Sequence, residues 1–161
     1  MGGVYLEDIK RLYEMYSKDI YKYIYSITLN KEIAQDIVQN TFLEAIKSIN
    51  TFNGNSTVKT WLIGIAKYEY YAYLRKNPKS VSLDEIEFKK VSYIQDNNES
   101  YYTIMNEISK LDEIQRQIAV LRIVNDLSFK EIGNIIGKSE NYCRVSFFRI
   151  KQNLSEVLKH E

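Results

Sequence analysis

Between Lys138 and Gln152 the sequence sets four cations, Lys138, Arg144, Arg149 and Lys151, against a single carboxylate, Glu140. Four positive charges less one negative leave +3 on this short stretch, while the whole chain carries +1. Clustered Lys and Arg neutralise phosphates, and Arg and Asn can reach base edges. At 100° per residue, Cys143, Phe147, Ile150 and Leu154 make one apolar stripe. The opposite face then carries Asn141, Val145, Phe148, Arg149 and Gln152, flanked by Tyr142 and Arg144. Water alone gives no reason for Val145 and Phe148 there. A face that meets thymine methyls and base edges does, with Asn141 and Arg149 as polar readers.

Other groups allow more than one reading. Asp36, Gln39 and Asn40 share a helix face, which on spacing alone is a solvated stripe. Tyr68, Tyr70, Tyr71 and Tyr73 cannot all face inward, so they either decorate a helix surface or stack on unpaired bases. Trp61 stands among Leu62 and Ile65 and reads as a core anchor. Arg116 and Arg122 are phosphate clamps or partners of Asp112 and Asp126, with the clamp role favoured for Arg116. With one cysteine, Cys143, and one histidine, His160, a disulfide framework, a cysteine-rich metal site and a triad enzyme all lack material. No cofactor and no metal are expected.

Helices must position these groups. The chain has 161 residues, enough for one ordinary domain or two small ones. It is 45% hydrophobic and 27% charged with one proline and six glycines, which favours an all-α fold over a turn-rich β architecture. Helical spacing predicts helices over 5–29, 31–49 and 58–76, with Asn30 as a break and N-cap and the polar loop Asn53-Gly54-Asn55-Ser56-Thr57 before the third. Tyr13 and Ile46 fall on the apolar stripes of the first two. Pro78 stops the third helix. The acidic stretch 78–102, net −2 from three cations and five carboxylates, reads as a flexible linker with a short helical piece at 83–90.

Four helical segments are expected after it, at about 101–110, 113–124 with apolar Ile114, Ile118, Leu121 and Val124, 129–136, and 140–158. Ser128-Phe129-Lys130-Glu131 is a capping box, and Gly137 suits a left-handed cap. A short capped helix, a Gly-containing turn and a longer helix make a helix-turn-helix. No apolar run approaches the roughly 20 residues of a membrane span, and the first residues lack a signal peptide's pattern. The expected compartment is the cytoplasm.

Leu111-Asp112-Glu113-Ile114-Gln115-Arg116, Leu127-Ser128-Phe129-Lys130-Glu131-Ile132-Gly133 and Ile136-Gly137-Lys138-Ser139 resemble the second DNA-binding domain of extracytoplasmic-function sigma factors, in the sigma-70 family. Ile33-Ala34-Gln35-Asp36-Ile37-Val38-Gln39-Asn40-Thr41-Phe42 is similar to that family's polymerase-docking segment. Phe52-Asn53-Gly54-Asn55-Ser56 with Thr60-Trp61-Leu62 and Ile65-Ala66 is similar to its promoter-melting segment. The resemblance implies two small helical domains, 1–77 and 103–161, joined by the 78–102 linker. It implies that Asp36, Gln39, Asn40 and Leu43 bind the clamp of the largest subunit of core RNA polymerase, whose flap is a further contact. Asn53, Asn55, Ser56, Lys59 and Lys67 would hold the melted downstream (−10) element, with one base flipped into the 53–57 loop. Arg116, Lys138, Asn141, Tyr142, Arg144, Val145, Phe148 and Arg149 would hold the upstream (−35) element. An anti-sigma factor is an expected partner and catalysis is not expected.

The chain departs from the family's usual pattern at several positions. Asn40 stands where an acidic residue is common, Tyr68 and Ala72 replace a frequent Asn and Asp, and Tyr142 and Ser146 replace a common Thr and Arg. Two other functions compete. A conventional helix-turn-helix regulator would bind duplex DNA by itself, usually as a dimer. A strand-transfer enzyme with a tyrosine nucleophile would need Arg with His or Lys gathered at the scissile phosphate, and no such cluster is recognisable.

Overall fold

A computed structural model describes residues 2–78 and 99–160. Among them are seven α-helices and no strand, so the all-α class expected from composition holds. The chain divides into two compact units, Met1–Ser82 and Leu83–Glu161. Most of the expected 78–102 linker, and all of its expected helical piece at 83–90, lies outside the described residues. From Glu99 onward the chain is already helical, two residues earlier than the sequence pattern implies. A carboxylate in a first turn is favourable there.

In the first unit, α1 (Gly2–Thr28), α2 (Lys31–Ser48) and α3 (Val58–Lys76) each touch the other two. α1 ends where Leu29 turns to φ 51°, its N–H still donating to the Tyr25 carbonyl at 2.8 Å. Asn30 then starts α2 in extended backbone, its Oδ1 accepting from the Ile33 N–H at 3.0 Å, as the N-cap reading requires. The core is built from Ile20, Tyr23 and Ile24 of α1, Ala34, Ile37 and Phe42 of α2, and Leu62, Ile63 and Ala66 of α3. Tyr13 and Ile46 depart from the expected stripes: both are exposed, Tyr13 with its edge against Phe42 at 5.0 Å. Ile46 sits at the margin of its stripe, beyond the buried Phe42, whereas Tyr13 lies at an inward angle yet is only partly covered.

In the second unit, α5 (Glu113–Ile123) touches α4 (Glu99–Ser109), α6 (Phe129–Ile136) and α7 (Glu140–Lys159). Three neighbours bury α5 around most of its circumference, from Arg116 through Leu121 without interruption. Ile114, expected on its buried stripe, is instead exposed two residues before that enclosure begins. Ile108, Ala119, Val120 and Ile150 form a core cluster with Ile104, Met105, Leu111, Val124 and Leu154 against it. Each large aliphatic fully buried there contributes about 1.5–3 kcal/mol.

Candidate nucleic-acid interface

The helix-turn-helix consists of α6, the turn Gly137–Ser139 and α7. Local chemistry fixes each joint. The Ser128 Oγ accepts from the Glu131 N–H at 3.1 Å while the Glu131 carboxylate accepts from the Ser128 N–H at 2.9 Å, the reciprocal capping expected from sequence. Gly137 sits at φ 73°, and its N–H and that of Lys138 both reach the Gly133 carbonyl, at 2.9 and 3.0 Å. Ser139 caps α7 by accepting from the Tyr142 N–H at 3.0 Å. Gly133 lies so near the turn that a Cβ on it would stand 2.5 Å from the Lys138 carbonyl oxygen. Only a bare backbone permits that approach.

Cys143 and Ile150 are buried and Phe147 and Leu154 half-buried, so the predicted core stripe of α7 is the one that faces inward. Asn141, Tyr142, Arg144, Val145, Phe148 and Arg149 are all exposed, with Lys138 exposed in the turn. Phe148 is 59% accessible, a large aromatic ring in water on the face that carries Asn141 and Arg149. Arg144 pairs with Glu140 at 2.8 Å. Such an exposed pair is worth little, so it yields readily to a phosphate. The Lys138 ammonium stands 5.3 Å from the Tyr142 ring centroid.

Arg116 is a correction. Its side chain is 6% exposed and its guanidinium donates to the Ser109 carbonyl at 3.4 Å. It holds the α4–α5 connection from inside and is withdrawn from any phosphate. Arg122 also turns to structure: it donates to the Leu127 carbonyl at 2.9 Å and lies over the Phe129 ring at 4.3 Å. Phe129 is flanked by Arg144 at 5.7 Å and Phe147 at 5.6 Å. Sequence reasoning missed this joint, because its members come from three helices and share no spacing signal.

In the first unit, Asp36, Gln39, Asn40 and Leu43 fall on one 100° arc of α2, and all four are exposed. Leu43 is 58% accessible at the middle of this arc, with the exposed Ile46 beside it. A merely solvated stripe gives no account of two aliphatic side chains there. Asn53, Asn55 and Ser56 are exposed together in the loop before α3. The Asn55 N–H donates to Asn53 Oδ1 at 3.1 Å, and Gly54 takes φ 78°. Trp61 is half-buried with its ring 5.1 Å from that of Phe52, so it ties the loop's entry to α3 rather than filling the core. Lys59 stands in the first turn of α3, whereas Lys67 is about 12 Å further along the axis, its ammonium 5.4 Å from the Tyr71 ring. The structure therefore gathers the loop residues and Lys59, and leaves Lys67 with the tyrosines.

Burial raises the Cys143 thiol above its ordinary pKa, and raises the Tyr25 phenol likewise. Among the described residues, no group of three or more His, Cys, Asp or Glu side chains is placed to hold a metal, and no helix is long and apolar enough to cross a membrane.

Residues 12–79 match Sigma-70 region 2. The ECF RNA polymerase sigma factor SigM of Bacillus subtilis is 28% identical across 92% of this chain and 94% of its own length. RNA polymerase sigma factor YlaC of the same organism is 25% identical across 96% of each chain. In fold, the chain is similar to the sigma factor RpoE of Bartonella quintana, solved with the anti-sigma factor NepR, at a TM-score of 0.75 and 21% identity over 95% of this chain and 98% of that one. Residues 12–79 thus carry a Sigma-70 region 2 domain, and the chain as a whole is similar to RNA polymerase sigma factors along nearly its full length. The similar proteins also include the ECF RNA polymerase sigma factor SigX of Bacillus subtilis, 24% identical across 96% of this chain and 87% of its own length.

Proposed function

We propose that this chain binds core RNA polymerase in the cytoplasm and directs it to promoters by contact alone, without catalysing a reaction. Residues 1–77 dock on the clamp of the largest subunit through Asp36, Gln39, Asn40 and Leu43. The same domain holds the melted −10 element at Asn53, Asn55, Ser56 and Lys59, with Lys67 further along α3. Residues 78–102 link it to 103–161, which meets the flap and lays α7 in the major groove of the −35 element. There Asn141, Val145, Phe148 and Arg149 read base edges while Lys138, Tyr142 and Arg144 face the backbone.

The observation that carries this reading is the solvent-facing leucine on α2. A helix-turn-helix alone serves any DNA-binding regulator, whereas Leu43 amid Asp36, Gln39 and Asn40 is a surface made for a protein partner. The solved relative RpoE is held by an anti-sigma factor, and a protein of that kind is the expected inhibitor here. The test is promoter binding with and without core polymerase. A sigma factor gives sequence-specific complexes only when core enzyme is present. Tight palindrome-specific duplex binding by the chain alone would instead identify a conventional regulator.

A further inference from the structure

The cations at the start of α7 are held in two different ways. At 100° per residue, Arg144 and Tyr142 lie about 160° apart, with Asn141, Val145, Phe148, Arg149 and Gln152 between them. On the first flank Arg144 pairs with the Glu140 carboxylate at 2.8 Å. On the second the Lys138 ammonium lies 5.3 Å from the Tyr142 ring centroid. No carboxylate pairs with Lys138 among the described residues. All four side chains are exposed.

A phosphate meets the two flanks differently. A carboxylate partner neutralises the charge it holds, whereas a ring attracts a cation through its quadrupole and leaves the charge whole. A free lysine stem gives up much rotamer freedom when its ammonium settles on an anion. A ring that holds the stem beforehand removes part of that loss. The backbones that carry this contact are fixed against each other. The Lys138 N–H donates to the Gly133 carbonyl at 3.0 Å, one residue after the left-handed Gly137. The Tyr142 N–H donates to the Ser139 Oγ at 3.0 Å. Lys138 therefore leaves the turn with its ammonium on the Tyr142 flank of α7, away from Arg144.

We infer that Tyr142 is a positioning residue, whose ring seats the fully charged Lys138 ammonium against the phosphates of one DNA strand. A helix in the major groove has a strand on either side, so the Arg144 flank meets the other one. The inference deepens the proposed function and rests on it for α7 lying in that groove. It assigns Tyr142 to Lys138 rather than to a base or to a phosphate of its own.

The test is fluorescence anisotropy of a labelled mixed-sequence duplex of two helical turns, about 20 base pairs. It is titrated at low salt with the full chain, alone and with core polymerase. An exposed cation–π contact converts to about 2- to 5-fold in affinity. Tyr142→Leu, which keeps apolar bulk and removes the π-face, should lose that much, and Tyr142→Phe should bind like wild type. Lys138→Gln should cost more, and should flatten the slope of log affinity against log salt by about 0.9, the value of one phosphate. Adding Tyr142→Leu to Lys138→Gln should then cost nothing further, a dependence that a structural role does not produce. Because the comparison is between two backgrounds, a shared change in folding cancels. Equal losses from Tyr142→Leu in both backgrounds would overturn the inference, as would wild-type binding by Tyr142→Leu. So would a loss in Tyr142→Phe as large as in Tyr142→Leu, which marks the hydroxyl as the DNA contact, or no duplex binding in either arm. The duplex needs no promoter, so a failed initiation reading leaves this cycle legible, and a failed cycle leaves docking through Asp36 and Leu43 untouched.

Discussion

Gly133→Ala should damage the helix-turn-helix unit while leaving the first unit alone. The added Cβ would stand 2.5 Å from the Lys138 carbonyl oxygen and 3.4 Å from the Glu140 nitrogen. Side-chain Cβ atoms essentially never come nearer than 3.0 Å to a neighbour, so the turn must retreat by at least about half an ångström. The turn cannot retreat freely, because Gly137 and Lys138 both donate to the Gly133 carbonyl. Overpacking of this kind costs about 1–3 kcal/mol, and alanine returns up to about 1 kcal/mol through helix propensity. The net expectation is about 1–2 kcal/mol of destabilisation, with α7 tilted away from α6. Far-UV circular dichroism in urea should show the loss. Fluorescence of Trp61, the chain's only tryptophan, reports the first unit and should not shift. Gly64→Ala, where nothing crowds the new atom, should do the reverse and stabilise the unit that Trp61 reports. If Gly133→Ala is as stable as wild type and reads upstream DNA equally well, the close approach at the turn is not what sets this motif.

Further expectations concern the two binding faces and the interior. Asp36→Arg should abolish co-purification with core polymerase with the melting curve unchanged, and normal co-purification would count against the α2 face. Leu43→Ala should weaken polymerase binding by about 1–2 kcal/mol, roughly half the value of burying a full leucine, since the side chain is already partly covered in the free protein; titration with labelled core enzyme measures it. Arg149→Ala should weaken upstream-element recognition by about 1–3 kcal/mol without affecting stability. Arg116→Ala should do the opposite, destabilising the second unit by about 1–3 kcal/mol through the emptied buried site while the salt dependence of DNA binding stays the same. The buried Cys143 thiol should resist a thiol reagent at mildly alkaline pH until urea opens the fold.

What was legible in the sequence was local. Asn30, Ser128 with Glu131, and Gly137 announce helix ends because their side chains or bare backbone satisfy groups within four residues. The two faces of α7 were legible because that helix packs on one side only, so a single 3.6-residue period decides every position. α5 defeats the same reasoning. Enclosed by three helices, it buries Arg116 and Gln117 beside its aliphatic residues, and a charge in a periodic pattern reads as surface. Trp61 was misjudged for a related reason: its partner, Phe52, comes from the loop, and no helical spacing connects them. That Tyr70 is buried while Tyr68 and Tyr71 are exposed likewise depends on where α1 and α2 lie against α3. Leu43 was placed on the docking face by resemblance; its exposure became visible only in three dimensions.

The most direct test of the account is in vitro transcription from a library of genomic fragments, using core RNA polymerase with and without this protein. The account predicts transcripts that require the protein and share paired upstream and downstream elements. It also predicts that Asp36→Arg removes them all, whereas Arg149→Ala redistributes them among upstream sequences. A transcript set unchanged by the protein, from polymerase shown to be active with another sigma factor, would contradict it.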